Sequence, residues 1–248
     1  MRLENKVGIV TGAAGGIGRA FAIRLGQEGA KVAIADIKDC EETAALVREK
    51  GAEVLPIQID VRDEQQTLEM ARLTVQRFGK IDILVNNAAI ASGMSFVPLM
   101  EVDLDEWDRV MDVNVKGTFL CTRAVFPYMK AQGKGKIINM SSGVFISGTV
   151  GIPHYVSSKA AVWGLTRVLS KELGQHGINV NAIAPGYTES GIQINVDRMP
   201  WSPVAPGKAI ERTEVPEDLT GTLVYLASED SDFVTGNLHV INGGSKLW

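Results

Sequence analysis

The chain is poor in the residues that hold metals and disulfides. Its 248 residues include two cysteines and three histidines. Cys40 and Cys121 show no C-x-x-C spacing, so they read as free thiols and a cytoplasmic location is expected. His154, His176 and His239 are too scattered to form a ligand set, and no metal is expected. Net charge is also small, −4 from 25 basic and 29 acidic residues. Without a basic excess, neither nucleic acid nor an anionic membrane surface is an expected partner. Glycines and charges interrupt every apolar run short of the ~20 residues a membrane span needs. Arg2, Glu4, Asn5 and Lys6 break up the start, which argues against a signal peptide. Repeats, low-complexity tracts and linkers are missing too, so one domain over residues 1–248 is expected.

What remains is ordinary globular composition, 45% apolar and 22% charged. The first chemical signal is the stretch GIPHYVSSKAAVWGLTRVLSKEL, with Pro153 suited to a helical first turn. Ala161, Val162, Leu165, Val168, Leu169 and Leu173 recur at helical spacing. Tyr155 and Lys159 then leave the same helix face. A free phenol titrates near ~10 and is a poor base at neutral pH. A nearby ammonium favours the phenolate, and a Tyr tuned this way can exchange a proton with a substrate oxygen. Y-x-x-x-K alone is a weak signal, because a surface Tyr and a solvated Lys give the same letters.

The first segments supply context. KVGIVTG reads as a strand and GIGRAFAIRLGQEG as a helix, with Gly12, Gly15, Gly16, Ile17 and Gly18 in the loop between them. Such glycines permit a tight turn and close approach of a ligand, and the helix amides that follow suit a pyrophosphate. KVAIAD is a second strand ending in Asp36, near the ~20-residue offset at which a carboxylate meets an adenosine ribose. A carboxylate there repels a 2′-phosphate, and no Lys or Arg in the loop would neutralise one, so NAD is expected over NADP. Asp36 could instead cap the turn into the next helix. EVLPIQID is a third strand, with Asp60 and Val61 placed either near adenine or at a helix start. KIDILVNNAA is a buried fourth strand, with Asn87 expected near the cofactor and Asn86 as a strut.

Strands alternating with helix-length connections predict a Rossmann-like doubly wound parallel sheet of about seven strands with helices on both faces. Ligands then bind beyond the carboxyl ends of the strands. DLDEWDRVMDVNVKGTFLCTRAVFPYMKAQ reads as one long helix with Asn114 in its apolar middle. Asn disfavours that position, so Asn114 marks either a local distortion or a satisfied core amide. KGKIINMSS is a fifth strand ending at Ser141 and Ser142, and the segment GVFISGTVG after it looks mobile. INVNAIAPG is the sixth strand. Residues 187–213, rich in Pro and apolar side chains, read as a substrate lid.

Together these residues resemble the short-chain dehydrogenases/reductases along essentially the whole chain. The resemblance rests on T-G-x-x-x-G-I-G at Thr11–Gly18, N-N-A at Asn86–Ala88, Asn114, Ser142, Tyr155, Lys159 and Pro185-Gly186. It implies a metal-free, nicotinamide-dependent oxidoreductase, commonly a homotetramer, with Asn114, Ser142, Tyr155 and Lys159 as its tetrad. Tyr155 would exchange the proton, and Lys159 would hold the nicotinamide ribose and lower the phenol pKa. Ser142 would hydrogen-bond the reacting oxygen, and Asn114 would anchor a water. Ile17 would flank the phosphates and Thr188 would reach the nicotinamide amide. Two positions depart from the family pattern: Ala89 stands where glycine is usual after N-N-A, and Ser190 where many members have threonine.

Phe145, His154, Tyr187, Met199 and Trp201, with Ala91–Phe96, are candidate pocket walls beside Ser142 and Tyr155. This aromatic, largely uncharged set suits a small-molecule secondary alcohol of the 1-phenylethanol type and its ketone. The chain also resembles 3-oxoacyl-[acyl-carrier-protein] reductases, which generally use NADP and bind an acidic carrier. A non-catalytic dinucleotide-binding sensor or scaffold is the alternative of another class.

Overall fold

In a computed structural model, the structure describes residues 1–191 and 208–245. The strands are β1 (Val7–Thr11), β2 (Lys31–Asp36), β3 (Val54–Gln58), β4 (Ile83–Asn86), β5 (Gly135–Met140), β6 (Ile178–Pro185) and β7 (Leu238–Ile241). They form one seven-stranded sheet in the order β3-β2-β1-β4-β5-β6-β7, with every neighbouring pair parallel. The strand order reverses between β1 and β4, which opens a crevice at their carboxyl ends. Strands β1, β4 and β5 are buried along their whole length, as expected for a sheet covered on both faces. Pro56 is tolerated in β3 because that strand lies at the edge and pairs only with β2.

The helices are α1 (Gly16–Gln27), α2 (Glu41–Glu49), α3 (Glu64–Phe78), α4 (Leu104–Met111), α5 (Gly117–Gln132), α6 (Val144–Ser147), α7 (Pro153–Gly174) and α8 (Glu217–Ala227). They cover the two faces in separate clusters. Phe21 and Leu25 of α1 join Leu219 and Leu223 of α8 on one face. Met70, Cys121, Val125, Leu169 and Leu173 cover the other. No helix among the described residues is long and apolar enough to cross a membrane.

Two expectations are refined here. The long helix around Asn114 is α4 and α5 joined by a π-helical turn, Asp112–Lys116, so the distortion is real and centred on Asn114. The segment expected to be mobile contains α6, closed by Gly148 at φ 62°. Residues 192–207 of the expected lid, including Met199 and Trp201, lie outside the described residues.

Candidate active site

A single cavity of about 920 Å³ runs along the carboxyl ends of the strands. At one end it is lined by Asp36, Asp60 and Val61, beyond β2 and β3. Gly12, Gly15, Ile17 and Asn87 line it at the switch point. Ser142, Tyr155, Lys159, Pro185, Gly186 and Thr188 line it beyond β5 and β6. The sheet thus brings to one cavity residues scattered over more than half the chain.

The glycine loop divides into two kinds of position. Gly15 lines the cavity, and a Cβ there would meet nothing within 4 Å. Gly12, at φ +66°, is pressed against the Ala88 backbone, where a Cβ would lie 2.7 Å from Cα. Gly16 and Gly18 are not among the lining residues. A Cβ on Gly18 would stand 2.1 Å from the Gly12 carbonyl oxygen, so this glycine is needed for packing. The start of α1 has no side-chain cap and no acid in its first turn, whereas Asp63 and Asp103 cap α3 and α4. Its free amides therefore suit an anion delivered through the cavity.

Asn87 ties the loop to β4. Its Nδ2 donates to the carbonyls of Thr11 and Gly12, both at 3.0 Å. The Thr11 hydroxyl accepts from the amides of Asn87 and Ala88. Asn86 is a strut, as expected: its Nδ2 donates to Thr122 Oγ1 and Asn139 Oδ1, and Asn139 continues to Thr166. At the far end, Asp36 is held at both oxygens, accepting from the amides of Ala14 and Lys38 at 3.0 Å. Asp60 is clamped by the Arg62 guanidinium, which holds the Asp60 carboxyl below its ordinary range.

At the other end, Ser142 lies beside the Tyr155 phenol and favours its charged form, and both side chains line the cavity. Ser141 instead turns to the backbone of α7, donating to the Lys159 carbonyl at 2.8 Å. Lys159 is 3% exposed, donates to the Met140 carbonyl at 2.9 Å, and has its Nζ 5.6 Å from the Tyr155 ring centroid. Burial pushes the Tyr155 phenol up to about 12, against a smaller opposing effect of Ser142. Burial also pulls the Lys159 amine down to about 8. The expectation of a lowered phenol is therefore corrected for the protein alone, because desolvation by burial is the largest influence on Tyr155 and raises it. Asn114 acts through its side chain. Its Oδ1 accepts from the Ile90 amide at 2.8 Å and its Nδ2 donates to Ser158 Oγ at 3.0 Å, locking the π turn to α7. Its own carbonyl accepts from Thr118 Oγ1.

The Lys159 shift carries a stability prediction. Between about 8 and the ordinary 10.5, the unfolded chain holds a proton that the fold has shed. Stability contributed by this group therefore rises with pH across that window. Comparing denaturant unfolding at pH 7.5 and 9.5, wild type should gain about 2 kcal/mol relative to Lys159→Met. A gap that stays constant or moves the other way contradicts the assignment.

The candidate walls divide. Tyr187, Ala91, Ser92, Met94 and Phe96 line the cavity. His154 does not. It is 2% exposed, its Nδ1 accepts from the Tyr155 amide, and its Nε2 lies 3.5 Å from Glu106 Oε1. One residue is about 100° of helix rotation, so the neighbour of a cavity residue faces elsewhere. Phe145 is half-buried and also off the cavity, while Val144 beside it lines it. Sequence reasoning passed over Val144, Val150, Ile152, Lys208 and Asn242, which line the cavity, and the buried Glu214 behind Thr188. These positions are scattered through loops and one short helix, and carry no periodic signal that could have found them.

Residues 6–201 match the short chain dehydrogenase family, and the chain belongs to it. It is 41% identical to a 3-oxoacyl-[acyl-carrier-protein] reductase of Thermotoga maritima, over 98% of this chain and 99% of that one. It is 38% identical to the (2S)-[(R)-hydroxy(phenyl)methyl]succinyl-CoA dehydrogenase subunit BbsD of Thauera aromatica, over 100% and 99%. Among solved structures it resembles levodione reductase, with TM-score 0.93 and 32% identity over the whole of both chains. The chain is thus an oxidoreductase of the short-chain family, which binds a nicotinamide dinucleotide. The relatives favour the 3-oxoacyl reading of the sequence over the 1-phenylethanol one.

Proposed function

We propose that the chain interconverts 3-hydroxyacyl and 3-oxoacyl thioesters, using NAD. The observation that carries the reading is the Ser142–Tyr155 hydroxyl pair beside buried Lys159, in the same cavity that holds Asp36 at its far end. The apolar lining from Met94, Phe96, Val144, Val150 and Ile152 suits the acyl portion. The Thauera relative's named substrate is itself a thioester with a phenyl-bearing secondary alcohol, so an aryl group and a thioester are compatible in one substrate.

In reduction, the hydroxyls of Ser142 and Tyr155 donate to the carbonyl oxygen, and Tyr155 releases its proton as negative charge develops there. The Lys159 ammonium then offsets the phenolate charge, held in place by the Met140 carbonyl. Asn114 keeps α5 and α7 in register beneath the pair through Ser158. Gly12, Gly15, Ile17 and the amides of α1 hold the phosphates, with Asn87 bracing the loop. Asp60 and Val61 flank the adenine end, and Pro185, Gly186 and Thr188 the nicotinamide end. When bound, the dinucleotide supplies or accepts the hydride. Exposed Phe119 of α5 and Val168 of α7 suit burial against a second copy, in line with a homotetramer.

Asp36 selects the cofactor in this reading, its carboxylate repelling a 2′-phosphate. Asp36→Ala should shift the NADP-to-NAD ratio of kcat/KM at least tenfold towards NADP, and an unchanged ratio removes Asp36 from cofactor choice. The activity itself is tested by offering the protein acetoacetyl and 3-oxo-3-phenylpropionyl thioesters, and free acetophenone, with NADH and with NADPH. Thioester turnover at least 100-fold above that of acetophenone in kcat/KM is expected with NADH. Faster reduction of acetophenone favours the 1-phenylethanol reading, and failure on every carbonyl, with dinucleotide bound, favours a non-catalytic sensor.

A further inference from the structure

Behind Thr188 lies a carboxylate that the proposed chemistry does not use. Glu214 is 4% exposed, and Thr188 Oγ1 donates to its Oε1 at 2.7 Å. The Gly186 amide donates to its Oε2 at 3.4 Å. The backbone repeats the pairing: Thr188 and Glu214 form a parallel bridge, and the Glu189 amide donates to the Glu214 carbonyl at 2.8 Å. Desolvation pushes the Glu214 carboxyl up, while Thr188, Gly186 and the nearby Lys208 ammonium favour its charged form. Lys208 is itself 8% exposed and donates to the Arg212 carbonyl.

The consequence is a fixed hydrogen-bond polarity. A hydroxyl has one proton and two lone pairs. Thr188 spends its proton on Glu214, so towards the cavity it offers lone pairs only. A phosphate oxygen, also an acceptor, gains nothing there. The Gly143 amide donates to the Pro185 carbonyl at 2.9 Å, which sets the segment after β6 against the Ser142 turn. The ligand group facing Thr188 is therefore at the reacting end. There a nicotinamide carries one donor, its carboxamide NH2.

We propose that Glu214 is a positioning residue that makes Thr188 an obligate acceptor, so that the site selects the carboxamide by its NH2 and fixes which way the amide faces. The proposal rests on the family's binding of a nicotinamide dinucleotide, not on the thioester reading.

The test compares dissociation constants, measured by calorimetry on the purified full chain, for NAD, its 3-acetylpyridine analogue and ADP-ribose. The analogue replaces the amide NH2 by methyl, and ADP-ribose lacks the ring. Wild type should bind the analogue about tenfold more weakly than NAD, equivalent to about 1.4 kcal/mol. In Glu214→Gln the new amide can donate to Thr188 and free its proton for the ligand carbonyl. The tenfold ratio should then fall to within twofold, with ADP-ribose affinity unchanged. Thr188→Val should also erase the ratio and Thr188→Ser should keep it, so the test survives if Glu214→Gln does not fold. Equal binding of NAD and the analogue by wild type overturns the proposal, as does a ratio that Glu214→Gln and Thr188→Val both leave intact. Failure to bind NAD or ADP-ribose at all would instead strike the cofactor reading.

Discussion

Tyr155→Phe should lower kcat by about 10³-fold or more in either direction, the upper range for loss of a general acid/base. The removed atom is the hydroxyl that meets Ser142 at the catalytic end of the cavity. Nothing in the fold depends on it, because the ring remains and the polar anchors of this helix turn are elsewhere. Ser158 donates to the Tyr155 carbonyl and the Tyr155 amide donates to His154, both backbone contacts that Phe keeps. Thermal midpoint and dinucleotide affinity should therefore stay within about 2 °C and threefold, consistent with the small effect of losing a single hydroxyl contact. Retention of a tenth of wild-type kcat would remove the phenol from the proton-transfer step.

Gly18→Ala should damage both the fold and dinucleotide binding. The added methyl would stand 2.1 Å from the Gly12 carbonyl oxygen and 2.6 Å from Asn87 Nδ2. Both are fixed, one as backbone and the other as the brace between β4 and the loop. Overpacking of this kind costs about 1–3 kcal/mol or more, which is several degrees in a domain of this size. Because the Gly12 turn must move, dinucleotide affinity should fall at least 100-fold as well. Gly15→Ala is the matched control. Its methyl meets nothing within 4 Å of protein but occupies the ligand side. It should weaken dinucleotide binding while leaving the melting midpoint within about 1 °C, as an unstrained surface change does. Equal melting losses in the two variants would contradict this division of the loop.

The parts legible in the sequence were those carried by periodicity or by glycine. Alternation of buried strands with helices set the sheet, and the offset of Asp36 from the loop placed it at the cavity. Asn114 in an apolar helix middle signalled either a distortion or a satisfied core amide, and both are present: the π turn stands there and the buried amide is bonded at Oδ1 and Nδ2. His154 was misread because adjacency to Tyr155 along the chain is not adjacency around a helix. Its ring packs towards Glu106 of α4, a partner 48 positions earlier that only the fold brings near. Glu214 was invisible for a similar reason. It lies in a loop, and its partner Thr188 comes from another loop across a single bridge. The sign of the Tyr155 shift was misjudged because spacing reveals a neighbouring ammonium but not the depth at which both groups are buried.

The central claim is that Tyr155 moves the proton, with a phenol held neutral by burial until positive charge gathers beside it. It is tested most directly by the pH dependence of kcat/KM for oxidation of a 3-hydroxyacyl thioester at saturating NAD, from pH 6 to 10. In the protein alone burial places the phenol near 12. The cationic ring and the Lys159 ammonium both favour the phenolate. The account predicts a rise with pH through an inflection below pH 10 that the residual rate of Tyr155→Phe lacks. A flat profile in wild type, or the same inflection in Tyr155→Phe, would contradict it.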